Sequence, residues 1–168
     1  MRIPVFVSCP TSLSPEQAAS RKLIINRLDN LGLEPRALGR SDYPTGFPLR
    51  EVHVIAKHCS GGVILGFEQF RSNSGISKPG APEEAMIADT TSYPTPWNQL
   101  EAGIVFGLGL PLLIFKQEGI GGGVFDPGVT DVFIHTMPPP KSSPEQLRQL
   151  REVFLSWQSK VRDHYYRW

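Results

Sequence analysis

Trp97 and Glu101 stand four residues apart in the stretch TPWNQLEAG, residues 95–103. Thr95-Pro96 is a good helix opening, and residues four apart on a helix share a face. Trp97, Ile104 and Leu108 read as one buried apolar face, and Glu101 falls on it. A carboxylate in that setting is paired, raised in pKa, or used in chemistry. The alternative is a structural acid that accepts hydrogen bonds from a nearby loop, and the residues alone leave both readings open.

Other reactive side chains offer less. Cys9 follows the first apolar run with no assignable histidine partner, and reads as a buried thiol lining a cleft. The four histidines, 53, 58, 135 and 164, fall into no ligand spacing, so no metal site is expected. No serine lies in a G-x-S-x-G turn, no G-x-G-x-x-G follows the first strand, and there is no glycine-lysine phosphate loop. GIGGGVF, 119–125, follows a late strand and reads as a flexible turn. Gly103, Gly107 and Gly109 are expected to permit close helix–sheet packing.

The chain has 168 residues, the length of one domain, with 40% hydrophobic and 20% charged residues and a net charge of +1. That balance leaves no electrostatic footprint for nucleic acid or an anionic membrane, and favours a small molecule or another protein as partner. The opening apolar run is too short for a signal peptide, and the stretch 102–115 is too broken for a membrane span. With two cysteines, a reduced cytoplasmic domain is expected.

The positioning elements read as alternating strands and helices. IPVFVS is a strand. Ser14-Pro15-Glu16-Gln17 is a capping pattern that opens a helix running to Gly32, with Ile24, Leu28 and Leu31 on one face. LEPRAL is an edge strand, PLREVHVIAKHC a helix and GGVILGF a buried strand. Residues 67–95, rich in Gly, Pro and Ser, read as a structureless lid or binding loop. The helix after them would start at the opposite end of the sheet unless the loop folds back. PLLIF and DVFIH complete about five strands, and Ser143-Pro144-Glu145-Gln146 repeats the capping pattern ahead of an amphipathic helix, 143–165. Its stripe is Leu147, Leu150, Phe154, Trp157 and Val161. The aromatic tail DHYYRW is expected to pack down or join a subunit interface, so a homo-oligomer is possible.

This alternation predicts a three-layer α/β domain, flavodoxin-like (Rossmann-like), spanning 1–168 around a central parallel sheet. Ligands in such folds bind beyond the carboxyl ends of the strands. Ser8, Cys9, Pro10, Phe67 and Glu68 fall at that edge. Phe67 and Trp97 either stack on a base or cover the core.

VFVSCP followed by a long helix resembles the opening of Toll/interleukin-receptor (TIR) domains and of nucleoside 2-deoxyribosyltransferases. The Trp97–Glu101 spacing is similar to the W-C-x-x-E segment of TIR enzymes, with Asn98 where that motif has cysteine. EAGIVFGLGLPLLIF resembles the transferase pattern in which an E-x-G-x-A helix leads into a G-x-P strand. The transferase aspartate expected about six residues before the glutamate falls near Thr95, which is not acidic. The resemblance implies that Glu101 is the nucleophile, cleaving the nicotinamide–ribose bond of NAD or attacking the anomeric carbon of a deoxynucleoside. Both reactions cross an oxocarbenium-like transition state that a carboxylate stabilises or traps. No cofactor is implied, NAD being a substrate. Ser8, Cys9, Pro10, Phe67, Glu68, Asp89, Trp97 and Asn98 are the expected substrate contacts. A nucleotide-sensing or protein-interaction module without turnover is the alternative.

Overall fold

Both S-P-E-Q patterns form the caps that their spacing predicts. In a computed structural model that describes residues 1–39 and 46–167, Ser14 and Ser143 each accept a bond from the backbone of the glutamine three residues on, and each glutamine side chain returns one. From end to end the chain runs β1 (Ile3–Ser8), α1 (Pro15–Asn30), β2 (Leu33–Arg36), α2 (Pro48–Lys57), β3 (Gly62–Gly66), β4 (Phe70–Ser72), β5 (Gly75–Ser77), β6 (Ala85–Ile87), β7 (Thr91–Tyr93), α3 (Pro96–Gly107), β8 (Leu112–Lys116), β9 (Ile134–Thr136) and α4 (Pro144–Tyr166). The last residue of the DHYYRW tail, Trp168, lies outside the described residues.

Five strands form one parallel sheet in the order β2-β1-β3-β8-β9, the flavodoxin-like doubly wound arrangement. Strand side chains alternate between faces, so Val5 and Val7 point one way and Phe6 the other. On the first face α1 and α4 bury Ile24, Leu28, Phe154 and Trp157 against Val5, Val7, Val63 and Phe115. On the second, α2 and α3 bury Val52, Ile55, Ala102 and Val105 against Phe6, Ile64 and Ile114. No helix among the described residues is long and apolar enough to cross a membrane.

Four sequence expectations need correction. The segment 67–95 is no structureless lid but a β-ribbon: β4 pairs antiparallel with β7, and β5 with β6. Between the two ladders lie Asn73 and Ser74 on one side and Ala88, Asp89 and Thr90 on the other, and no strand pairing joins the ladders across them. Because Gln69 N–H bonds the Tyr93 carbonyl, the ribbon returns the chain to where it left the sheet. The helix after it therefore starts at the carboxyl edge of the strands, not at the opposite end.

The buried face of α3 is Asn98, Ala102 and Val105, rotated from the expected Trp97–Ile104–Leu108 stripe, and Trp97 is exposed. The close helix–sheet approach comes from Gly62, where an added Cβ would lie 2.5 Å from the Val105 side chain. At Gly103, Gly107 and Gly109 nothing lies within 4 Å. Gly109, with φ +68°, instead closes a Schellman turn: its N–H bonds the Phe106 carbonyl and the Leu110 N–H bonds that of Val105. The fifth strand of the sheet begins at Ile134 rather than Asp131, because its register against β8 is Ile114↔Ile134 to Lys116↔Thr136.

Candidate functional site

Ser8 ends β1 two residues beyond Phe6, so its hydroxyl points to the same face, toward α3. There Asn98, fully buried in the first turn of α3, donates from Nδ2 to Ser8 Oγ at 2.8 Å and to the Leu65 carbonyl at 3.3 Å. The Leu65 carbonyl can only accept, so the amide nitrogen must face it, and Ser8 Oγ must in turn accept from Asn98. The single Ser8 proton is left for another acceptor, and Glu101, one turn further along α3, takes it. Burial pushes the Glu101 carboxyl up from 4.5 to about 7, against the opposing pull of the Ser8 hydrogen bond.

Glu101 opens onto a cavity of about 400 Å³ at the carboxyl ends of the strands, at the switch point between β1 and β3. Its described lining also includes Cys9, Pro10 and Thr11 after β1, Leu38 and Gly39 after β2, and Pro48, Gln69, Thr95 and Trp97. Glu101 is the only carboxylate in that described lining.

The structure thus brings Cys9, Pro10, Trp97 and Glu101 to one cavity, with Ser8 and Asn98 buried behind the carboxylate. Three expected contacts stand elsewhere. Phe67 is a core residue packed with the α1/α4 side of the sheet. Glu68 lies at the ribbon root, where Arg71 and Ser92 bond its carboxylate and Arg71, followed by Ser92, holds it below the usual carboxylate range. Asp89 is exposed between the two ladders of the ribbon. Residues 119–125 are also more ordered than a flexible turn. Gln99 donates to the Gly122 carbonyl and accepts from Val124 N–H, a short 3₁₀ turn spans Gly123–Phe125, and Phe125 is buried over Gly66.

Gln69 and Thr95 were not expected at the site. Thr95 had a readable signal, since the cap of a helix that starts at the ligand edge sits on the cavity rim; its hydroxyl accepts from Trp97 N–H at 3.2 Å. Gln69 owes its place to the ribbon pairing and had none. Among the described residues no three His, Cys, Asp or Glu side chains gather where they could hold a metal ion. Comparison with protein families, with curated proteins and with solved structures finds no match to this chain.

Proposed function

We propose that the protein cleaves or transfers the N-glycosidic bond of a nucleotide or nucleoside, NAD or a deoxynucleoside, with Glu101 as the nucleophile. The observation that carries this reading is the Glu101 carboxyl on the cavity wall, held by a buried Ser8–Asn98 pair and poised near neutrality. In the reaction a carboxylate oxygen bonds the anomeric carbon as the bond from that carbon to the base nitrogen breaks, and the base leaves with the electron pair. Water then hydrolyses the glycosyl ester, or a second base takes the sugar. Ser8 and Asn98 orient the carboxylate, and Trp97 offers an indole face for a planar base.

The chemistry of the leaving group favours NAD over a nucleoside. Nicotinamide departs neutral from a pyridinium and needs no proton, whereas a purine or pyrimidine wants a general acid. The described lining holds no second carboxylate to supply one.

The test is base release from NAD and from a panel of ribo- and deoxynucleosides, with Glu101→Gln beside the wild type. Turnover that falls about a thousandfold or more in the folded variant, equivalent to ~4 kcal/mol of barrier, supports the proposal. The ionised form is the nucleophile, so kcat should rise with pH and level off above about 7. Absence of turnover, with equal nucleotide binding by both proteins, would make the domain a sensing module.

A further inference from the structure

Gln69 and Thr95 line the cavity beside Glu101, and neither has a part in the chemistry assigned to the carboxylate. Each has one end of its hydrogen-bonding group committed and the other to spare. Gln69 Nε2 donates to the carbonyls of Ser12 and Glu68, both at 3.1 Å. A carbonyl only accepts, so the amide nitrogen is fixed there and both of its protons are used. Oε1 is then the polar atom the side chain has left to offer, and it accepts from no group among the described residues. Thr95 is the converse. Its hydroxyl oxygen accepts from Trp97 N–H at 3.2 Å, which leaves the hydroxyl proton to donate. A clamped acceptor and a capping donor in one cavity suit a ligand group that both donates and accepts, and a hydroxyl is the smallest such group.

The place of the pair relative to Glu101 says which hydroxyl. Long side chains on a helix lean toward its N-terminus. The Glu101 carboxyl meets Ser8, which Asn98 also bonds, so it sits level with the first turn of α3. Thr95 caps that turn, roughly 4–5 Å further along the helix axis, a distance comparable to a sugar ring. A carboxylate attacks an anomeric carbon from the face opposite the departing base. In a β-ribosyl compound the 2′- and 3′-hydroxyls lie on that same face, so the groups flanking the carboxylate are the ones that meet them. The 2′-hydroxyl is the nearer, being on the carbon next to the reacting centre.

We propose that Gln69 and Thr95 read the 2′-hydroxyl of the sugar, Gln69 Oε1 accepting from it and the Thr95 hydroxyl donating to it, so that the site takes ribosyl rather than 2-deoxyribosyl compounds. The proposal rests on the glycosidic reading of Glu101 and narrows its substrates to ribosides, NAD among them. It also gives the ribbon a use. The bond from Gln69 N–H to the Tyr93 carbonyl closes the ribbon root and holds the sugar reader at the cavity.

The test compares adenosine with its 2′-deoxy and 3′-deoxy analogues, and nicotinamide riboside with its 2′-deoxy analogue, in base release and in binding to Glu101→Gln. A 2-deoxyglycosidic bond breaks more readily by itself, so the quantity that counts is the ribo-to-deoxy ratio of kcat/KM in each variant against the wild type. Gln69→Ala should lower that ratio roughly five- to tenfold, the worth of one hydrogen bond, and leave turnover of the 2′-deoxy compounds nearly unchanged. The side chain is exposed and the backbone bond to Tyr93 remains, so the variant keeps the fold. Thr95→Gly, which preserves most of the cap, should lower the ratio likewise, and Thr95→Ser should keep it at the wild-type value. Folded variants that lose ribo and deoxy activity alike overturn the proposal. So does a loss that follows the base, or the 3′-hydroxyl, instead of the 2′-hydroxyl. A ribose preference in binding that Gln69→Ala abolishes, with no base release from any compound, would uphold the sugar reader and overturn the nucleophile. Neither release nor a ribose preference in binding would overturn both.

Discussion

Helices α3 and α4 lie over opposite faces of one sheet, and both begin at a hydroxyl cap followed by proline, but their outer surfaces differ. Beyond its buried Leu150–Phe154–Trp157–Val161 stripe, α4 exposes Arg148, Arg151, Glu152, Lys160 and Arg162 to water. Its cap is a full box with bonds in both directions, whereas Thr95 gives α3 one. On the sheet side the contrast reverses: α4 inserts hydrocarbon and indole, while α3 inserts an amide and half-buries a carboxyl. One helix is arranged to hold the domain together. The other spends burial on polar groups that do nothing for packing, as functional sites do.

Substitutions can break or sharpen that contrast. Phe154 is fully buried against Phe115, with ring centroids 5.8 Å apart, so Phe154→Ala should cost about 3–5 kcal/mol in denaturant unfolding. On α3 the sign should invert. The Glu101 pKa is higher in the folded chain than unfolded, so the native state retains a proton that the unfolded state has lost between pH 4.5 and about 7. Stability from this group is complete below the lower value and falls as pH rises through the upper one. Glu101→Gln should remove that decline and leave the variant more stable at pH 8 by at most about 3 kcal/mol, read from paired unfolding curves. A variant less stable than wild type at pH 8 would mean that the carboxylate is held by more than Ser8.

Ser8→Ala removes the bond that lowers the Glu101 pKa and should move it further up, measured by carbon NMR of the carboxyl. The buried Asn98 amide loses an acceptor at the same time, so about 1–2 kcal/mol of stability should go with it. The caps give the smallest effects. Ser143→Ala should cost about 1 kcal/mol and Thr95→Ala about half that, yet only the Thr95 variant should disturb ligand binding, because Thr95 lines the cavity.

What the sequence made legible follows the same division. Caps and buried strands announce themselves locally, so Ser14, Ser143, IPVFVS and GGVILGF could be read from a few neighbouring residues. The orientation of α3 could not, because apolar residues surround it and no polar face points to water. The ribbon escaped for the opposite reason: its strands are three residues long and mostly exposed, so burial imposes no alternation on them. Glu101 was visible as a carboxyl out of place among apolar neighbours. Its support was not, since Ser8 and Asn98 are 90 residues apart in the chain and meet only through the sheet.

The ribbon has a consequence for how this chain can vary. Its root is tied by the Gln69–Tyr93 bond, by Glu68 to Arg71 and Ser92, and by a bridge from Ser92 to Ile120. With the ends closed there, the turn at residues 78–84 can gain or lose residues at a closure cost that grows only as the logarithm of length. Insertions at that tip leave the start of α3, and with it Glu101, in place. The ribbon tip is therefore where relatives of this chain are free to differ in length, and where a tag can be inserted without moving the carboxylate.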